Sequence, residues 1–191
     1  MVFLTASGLG QAESHLVFEA FKLRSVTGLI VFVTCAFFLA SCAVQDPPAS
    51  AAIQGKSVTV YDNGWQESAM KGQLFYIEAV DGKPVRTSLQ ATRNATAGFG
   101  LSLRMSYRFH ELPVKPMKVR LVGTHVTGAP IHEMASRAKG TFFSVEGETS
   151  FLPVEGTDYL VIGKLHEEGS YVCIADRKTD TCVTEKVTKF R

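Results

Sequence analysis

Residues 101–126 read LSLRMSYRFHELPVKPMKVRLVGTHV, and this stretch decides the fold class. From Leu101 to His110 apolar and polar residues alternate strictly, which predicts a strand with one buried face and one solvent-exposed face. Met117–Val126 begins with the same alternation and then becomes apolar on both faces, which is typical of a central strand. The stretch therefore predicts a mainly β domain, with His110 on the solvent-exposed face.

Further strand-like runs lie on either side at roughly ten-residue spacing, separated by turn residues. They are Ser57–Tyr61, Gln73–Val80, Val85–Gln90, Thr141–Val145, Ser150–Leu152, Thr157–Leu165, Tyr171–Asp176 and Thr181–Val187. No regular alternation of strands with helices indicates a parallel sheet. Short strands at this spacing predict a single antiparallel β-sandwich, or a small barrel, over residues 56–191.

One segment departs from the two-residue period. In PIHEMASRAK, residues 130–139, Ile131, Met134, Ala135 and Ala138 fall at i, i+3, i+4 and i+7 and form one helical face. A proline at the start and a glycine just after the end suit the termini of a helix. We therefore expect one short helix near residues 130–139, packed on the sheet through this apolar face.

The N-terminal region carries a different signal. The run from Val26 to Cys42 reads VTGLIVFVTCAFFLASC and follows two basic residues, Lys22 and Arg24. A basic region, an apolar region and small residues at a cut site are the parts of a secretory signal peptide. The unbroken apolar part, residues 28–40, is shorter than the roughly 20 residues that a membrane-spanning helix needs.

The ending Leu39-Ala40-Ser41-Cys42 resembles the lipobox of bacterial lipoproteins. The resemblance implies cleavage before Cys42, a thioether-linked diacylglycerol on its sulfur and an acyl chain such as palmitate on the freed amine. Residues 1–41 would be the signal peptide, and residues 42–55, small and polar in composition, a flexible tether. Ala43 stands where Asp favours retention in the inner membrane, so the resemblance implies an outer-membrane anchor with the domain facing the periplasm.

Two cysteines, Cys173 and Cys182, remain after the leader and the lipidated residue are set aside. Their flanks read as strands, and a hairpin centred between Arg177 and Lys178 places the two cysteines directly opposite each other. Export from the cytoplasm permits oxidation. The sequence therefore predicts a Cys173–Cys182 disulfide, with two unpaired thiols as the alternative.

The charge balance argues against one class of partner. The chain has 20 basic and 18 acidic residues, and two of each lie in residues 1–41, which leaves 18 and 16 in the mature part. Such a balance gives no electrostatic argument for nucleic acid. The predicted membrane contact is instead through lipid on Cys42.

Motifs for catalysis are weak. His125 and His132, with Glu133 beside the latter, are the closest approach to a metal or general-base site, which needs a third ligand or an orienting partner. No serine lies in a GxSxG motif. The glycine-rich residues 96–100 do not open a helix, as phosphate loops do. We therefore expect no catalytic residue, no metal and no cofactor.

Trp65, the only tryptophan, lies in residues 62–72, a segment that reads as a long loop and directly follows Tyr61. An exposed tryptophan would be an anchor for a partner, whereas a buried one would fill the core. Binding residues commonly lie on loops, so Trp65 and Tyr61 are the candidate partner-binding residues.

Turn-and-strand pieces at residues 81–84 (DGKP) and 155–159 (EGTDY) are similar to those of transthyretin-like and PEGA-type β-sandwiches of exported bacterial proteins. The sequence as a whole predicts a lipid-anchored envelope lipoprotein that acts as a structural or protein-interaction module, with an envelope protein or cell-wall component as partner. One alternative is an envelope hydrolase, which predicts a pocket that collects His125, His132 and a carboxylate. Another is a small-ligand carrier, which predicts an apolar cavity inside a closed barrel.

Overall fold

The computed structural model describes residues 55–188. Their strands are β1 Ser57–Tyr61, β2 Asn63–Ser68, β3 Lys71–Val80, β4 Lys83–Pro84, β5 Phe109–Pro113, β6 Met117–Thr127, β7 Ser144–Phe151, β8 Tyr159–Lys164, β9 Tyr171–Asp176 and β10 Thr181–Cys182. Their helices are α1 Ser88–Thr96 and α2 Pro130–Ala138. The predicted signal peptide, the lipidation site Cys42 and the tether up to residue 54 lie outside the described residues.

The strands form two sheets. The first has the order β10-β9-β8-β1-β5, and the second has the order β2-β3-β6-β7 with β4 paired to β3. All pairs are antiparallel except β1 with β8, which is parallel. Within residues 55–188 neither sheet closes into a barrel, so the predicted mainly β sandwich is confirmed and the barrel alternative is wrong.

The main core fills the space between the two sheets. The inner face of the second sheet contributes Phe75, Ile77, Val119, Leu121 and Val145. They pack against residues of the first sheet, which are Val58, Val60, Leu112, Tyr159, Val161, Val172 and Ile174. This burial of apolar surface is the main force that holds the sheets together.

The outer face of the second sheet is buried as well. Leu74 and Tyr76 of β3 and Val122 and Val126 of β6 form a second apolar cluster, which includes Leu103 from the segment after α1. Strands covered on both faces read as near-continuous apolar runs. The prediction that residues 117–126 form a central strand is confirmed, because β6 pairs with both β3 and β7.

Helix α1 lies where the sequence suggested a returning strand. That expected strand, residues 85–90, is wrong: β4 contains only Lys83 and Pro84, and α1 begins at Ser88. Thr87 caps the helix by accepting a hydrogen bond from the backbone N–H of Gln90. Residues 55–188 therefore contain two helices rather than the one expected. Helix α1 buries hydroxyl-bearing and small residues, so its sequence contains no apolar stripe from which a helix could be predicted.

The expected strand at residues 101–110 is also wrong over most of its length. Only Phe109 and His110 belong to a strand, β5, and residues 102–108 pair with no strand of the described chain. Leu103 is buried as the alternation predicts, but Leu101 is 54 % exposed. Side chains of α1 supply hydrogen bonds to the backbone of Arg104, Ser106 and Arg108. The carbonyl of Leu103 accepts from the side chain of Gln66 on β2.

Helix α2 is confirmed within one residue, but its predicted packing is wrong. Ile131 and Met134, on the apolar face, are 66 % and 70 % exposed, and no residue of α2 is buried. The helix lies beside β6 and turns its polar residues Glu133 and Arg137 toward the sheet. The apolar face therefore points away from the domain.

The predicted disulfide between Cys173 and Cys182 is confirmed, with the two Cα atoms 5.9 Å apart. The expected register is wrong by two residues. Cys182 lies opposite Ala175, and the disulfide crosses diagonally between β9 and β10. The turn comprises residues 177–180, so its centre lies one residue nearer the C-terminus than expected. Asp180, with φ 53°, ends it in a left-handed conformation.

Three smaller expectations change. Residues 62–72 are not a loop, because β2 occupies Asn63–Ser68 and pairs with β3. The two short strands expected in residues 141–152 are one strand, β7. The last strand, expected over residues 181–187, is only the two-residue β10, followed by an isolated bridge between Val187 and Val172.

Neither helix of the described residues is long and apolar enough to cross a bilayer.

Candidate functional site

A groove of about 860 Å³ opens on the outer face of the second sheet. Its floor is the C-terminal part of β6, and its walls are α1, α2 and the segment that leads into β7. Polar side chains face it from the floor and from two of the walls, including Thr92 and Arg93 of α1, Thr124 of β6, and Glu133 and Arg137 of α2. A concave surface with converging polar groups is the usual form of a binding site.

The end of the groove is closed by the chain that leaves α1. Gly98 and Gly100, with φ 83° and 64°, adopt left-handed conformations that glycine tolerates best. The chain then runs against Gly128, where an added Cβ would contact the backbone oxygen of Leu101. Glycine at residue 128 thus allows this loop to reach the start of α2.

The charge inside the groove is mixed and slightly positive. Arg137 pairs with Glu133 at 2.8 Å, and its guanidinium lies 3.9 Å above the ring centroid of Phe142. Within residues 55–188, the guanidinium of Arg93 has no carboxylate partner. Arg93 is exposed, so it is the group most open to an incoming anion.

His125 borders the groove but is itself buried, with 3 % of its surface exposed. Its Nδ1 accepts a hydrogen bond from the backbone N–H of Phe143 at 2.9 Å, so the proton of the neutral ring lies on Nε2. Nε2 lies 3.2 Å from Glu67 Oε1 and donates to it. Burial and the charge of Lys71 lower the pKa of His125, and the Glu67 carboxylate only partly offsets them.

Glu67 completes this cluster. Its carboxylate also accepts a hydrogen bond from Gln73 at 2.6 Å and lies 3.3 Å from Lys71 Nζ. Burial raises the pKa of Glu67, but the Gln73 hydrogen bond and the charges of His125 and Lys71 together bring it below its usual value. Both ring nitrogens of His125 are thus engaged, which leaves none free for a substrate.

The pocket expected for a hydrolase forms only in part. His125 and Glu133 border the groove, whereas His132 is not among the residues that line it. The part of the chain that the structure describes contains no group of three His, Cys, Asp or Glu residues arranged to hold a metal ion.

A second polar cluster was not expected from the sequence. Asp62 is 4 % exposed and accepts hydrogen bonds from the hydroxyl of Ser88 at 2.6 Å and the backbone N–H of Ile77 at 3.0 Å. His110 Nε2 lies 3.3 Å from the same carboxylate. The expectation that His110 faces solvent is wrong, because β5 directs it inward to Asp62.

These three residue types also make up serine hydrolase triads, but the connectivity here is different. Ser88 donates to Asp62 rather than to the imidazole, and it is fully buried. Its oxygen also accepts a hydrogen bond from the backbone N–H of Arg108 at 2.7 Å. A nucleophilic serine must hydrogen-bond to its base and reach a substrate. This cluster therefore connects the junction of β1 and β2 with α1 and β5.

Trp65 and Tyr61 lie on strands of different sheets. Trp65, on the edge strand β2, packs its ring 5.5 Å from that of Phe75 while 44 % of its surface stays exposed. Tyr61 pairs with Phe109 on the outer face of the first sheet, and Arg177 lies 4.4 Å above its ring. Trp65 thus covers the edge of the core and remains accessible to a partner.

Comparison of the chain with models of protein families, with curated proteins and with solved structures found no match. The resemblances to lipoproteins and to transthyretin-like sandwiches stay predictions.

The groove was not expected from the sequence because α1, which supplies one of its walls, was not expected. A signal for this helix is present in Thr87-Ser88-Leu89-Gln90. A threonine at the N-cap with glutamine three residues later is a capping-box pattern. Arg93 follows within the same helix.

Proposed function

We propose that this chain is a lipid-anchored lipoprotein of the bacterial outer membrane, with its β-sandwich facing the periplasm as an interaction module. The observation that carries the interaction role is the groove between α1 and α2, a concave and partly basic surface on an otherwise packed domain. Lipid on Cys42 would keep this groove close to the membrane. Trp65 and Tyr61 remain candidates for additional contacts with a partner.

The packing of the domain supports surface binding over the two alternatives. Side chains fill the space between the sheets, which argues against carriage of a ligand inside the sandwich. The two engaged nitrogens of His125 and the buried Ser88 argue against a hydrolase. A disulfide suits a compartment outside the cytoplasm and so supports export.

The anchor is tested by intact mass and membrane fractionation of the wild type beside the Cys42→Ser variant. We expect the wild type to lose residues 1–41, to gain the mass of three acyl chains and to fractionate with the outer membrane. The variant should lack the acyl mass. A wild type that keeps its N-terminus or carries no lipid would show that the proposed anchor is wrong.

The groove is tested by a photoreactive amino acid at residue 97, which lines the groove, with the same substitution at residue 178 as control. Ala97 and Lys178 are both exposed, and Lys178 lies in the β9–β10 turn. We expect a defined crosslinked product from residue 97 in intact cells and none from residue 178. Equal labelling from both positions, or none from either, would contradict a role for the groove.

A further inference from the structure

We propose that the helix-bearing face of the domain docks on a bilayer surface that contains anionic phospholipid. The helix-bearing face is defined as residues 85–108 and 128–143, the layer that covers the outer face of the second sheet. This deepens the proposed function by naming a partner for the groove and its rim, and it rests on that function for the nearness of a membrane.

Charge is distributed unevenly over the domain. The helix-bearing face contains six basic residues and one acidic residue, a formal net charge of +5. The basic residues are Arg86, Arg93, Arg104, Arg108, Arg137 and Lys139, and all six are exposed. The rest of residues 55–188 contains ten basic and fourteen acidic residues, a net charge of −4. An anionic surface would therefore attract the helix-bearing face and repel the rest of the domain.

Exposed apolar side chains accompany this positive charge. Ile131 and Met134 protrude from α2 with 66 % and 70 % of their surface exposed, and Phe99 and Leu101 protrude from the loop after α1 with 46 % and 54 % exposed. The loop and the helix are neighbours, because Leu101 contacts Gly128 at the start of α2. Basic residues beside protruding apolar ones are the composition of segments that bind at a membrane interface.

The groove lies between these two apolar protrusions. It is lined by Gly98 and Gly100 of the loop and by Ala129 and Pro130 at the start of α2. Arg93 also faces it, and no carboxylate of residues 55–188 pairs with Arg93. Arginine is well suited to bind the oxygens of a phosphate group. Docking would place phospholipid headgroups at Arg93 and the apolar side chains at the level of the headgroups.

The predicted tether is long enough to permit this orientation and does not itself fix which face of the domain meets the bilayer. Its residues 43–55 would reach at most ~45 Å when extended, whereas a domain of this size has a radius of gyration of about 14 Å. A domain held by such a tether can turn any face toward the bilayer. Charge complementarity then selects the helix-bearing face, since the clusters of protruding apolar and basic residues coincide there.

The test uses the mature protein purified from membranes, with its lipid, reconstituted in vesicles of phosphatidylcholine alone or of phosphatidylcholine mixed with phosphatidylglycerol. Amide hydrogen exchange is followed by mass spectrometry. We expect slower exchange of residues 97–102 and 130–138 in the anionic vesicles, with no change in residues 171–182 of the β9–β10 hairpin. Equal exchange in both vesicle types would overturn the proposal.

Matched variants separate charge from apolar contact. Arg93→Glu and Ile131→Ser should each reduce the extra protection, while Lys178→Glu and Leu152→Ser should leave it unchanged. Leu152 is a close match for Ile131, with 64 % of its surface exposed against 66 %. All four residues are exposed, and thermal unfolding of each variant verifies that the fold is intact. Retention of the full protection by both test variants would contradict the proposal.

Two further readouts identify the source of any protection. Glycerol phosphate, a soluble headgroup analogue, should not reproduce the slower exchange when it is added to phosphatidylcholine vesicles. If it did, the ligand of this face would be a soluble anion and not a bilayer surface. Intact mass of the same sample reports lipid on Cys42. Loss of the anchor is therefore distinguished from failure of the helix-bearing face, because only a sample that carries the lipid and still shows equal exchange in both vesicle types overturns the docking.

Discussion

Asp62 shows how much one buried residue can connect. Its carboxylate accepts from Ile77 on β3 and from Ser88 on α1, and it lies beside His110 on β5. A buried carboxylate is tolerated only when its acceptor sites are filled. This residue therefore holds the start of α1 against both sheets, although the sequence places it in an apparent loop.

Asp62→Ala should lower the free energy of unfolding by about 3 kcal/mol, because it leaves the Ile77 N–H and the Ser88 hydroxyl without their acceptor. Urea denaturation measures the effect. Asp158→Ala is the matched control, since the Asp158 side chain is 54 % exposed and pairs with the exposed side chain of Arg177. The control should change stability by less than about 0.5 kcal/mol. Equal effects of the two variants would show that the Asp62 network contributes little.

His125 should make the domain less stable in mild acid. Its pKa is lowered in the folded protein from an ordinary value of 6.5, so below pH 6.5 the unfolded chain binds more protons than the folded one. The free energy of unfolding therefore falls as the pH falls below 6.5. Glu67, whose folded pKa is also lowered, adds a second loss below its ordinary value of 4.5.

The measurement is urea denaturation at a series of pH values from neutral down to pH 5. His125→Gln should flatten the dependence on pH, whatever its effect on stability at neutral pH. His166→Gln, at a histidine whose side chain is 52 % exposed, should keep the wild-type slope. A wild-type slope in His125→Gln would refute the assignment to His125.

At the scale of elements, α1 and the segment after it form one unit. Thr92 Oγ1 donates to the backbone oxygen of Ser106 and accepts from its N–H, at 3.1 and 3.0 Å. Thr96 does the same for Arg104, at 3.3 and 3.1 Å. Residues four apart share a helix face, so a row of hydroxyls replaces the neighbouring strand that the alternation of residues 101–110 led us to expect.

Thr92→Val should cost about 2 kcal/mol of stability, because it keeps the shape of the side chain but removes both hydrogen bonds to Ser106. Thr92 is 2 % exposed, so water cannot readily replace the lost partner. Amide exchange should also become faster in residues 104–108. Thr179→Val, at an exposed turn residue, is the control and should do neither. Unchanged exchange in Thr92→Val would mean that the two Thr92 hydrogen bonds contribute little to holding the segment beside those of Thr96 and Ser88.

At the scale of the whole molecule, the disulfide stabilises the fold through the unfolded chain. Cys173 and Cys182 are nine residues apart in sequence, and closing a loop of that size contributes about 2–3 kcal/mol in the chain-entropy model. Reduction of the wild type should lower its urea midpoint accordingly. The double variant Cys173→Ala/Cys182→Ala should be insensitive to reductant, and a reductant effect there would show that the shift in the wild type does not come from the Cys173–Cys182 bond.

The sequence by itself determined the class of fold, the central strand β6, helix α2 and the Cys173–Cys182 pair. These follow from local properties, namely the period of apolar residues, helix-terminal residues and the spacing of two cysteines. The lipid anchor on Cys42 also rests on a local motif and remains a prediction.

Only the tertiary structure decided the identity of α1, the pairing of residues 101–110, the burial of His110 and the exposed face of α2. Each depends on what a residue meets across the fold. Alternating residues form an extended segment whether its backbone hydrogen-bonds to a strand or to a row of threonine side chains. An amphipathic helix has the same sequence pattern whether its apolar face is covered or exposed. The physical reason is that hydrogen-bond partners and buried contacts between residues distant in sequence produce no periodic pattern in the sequence.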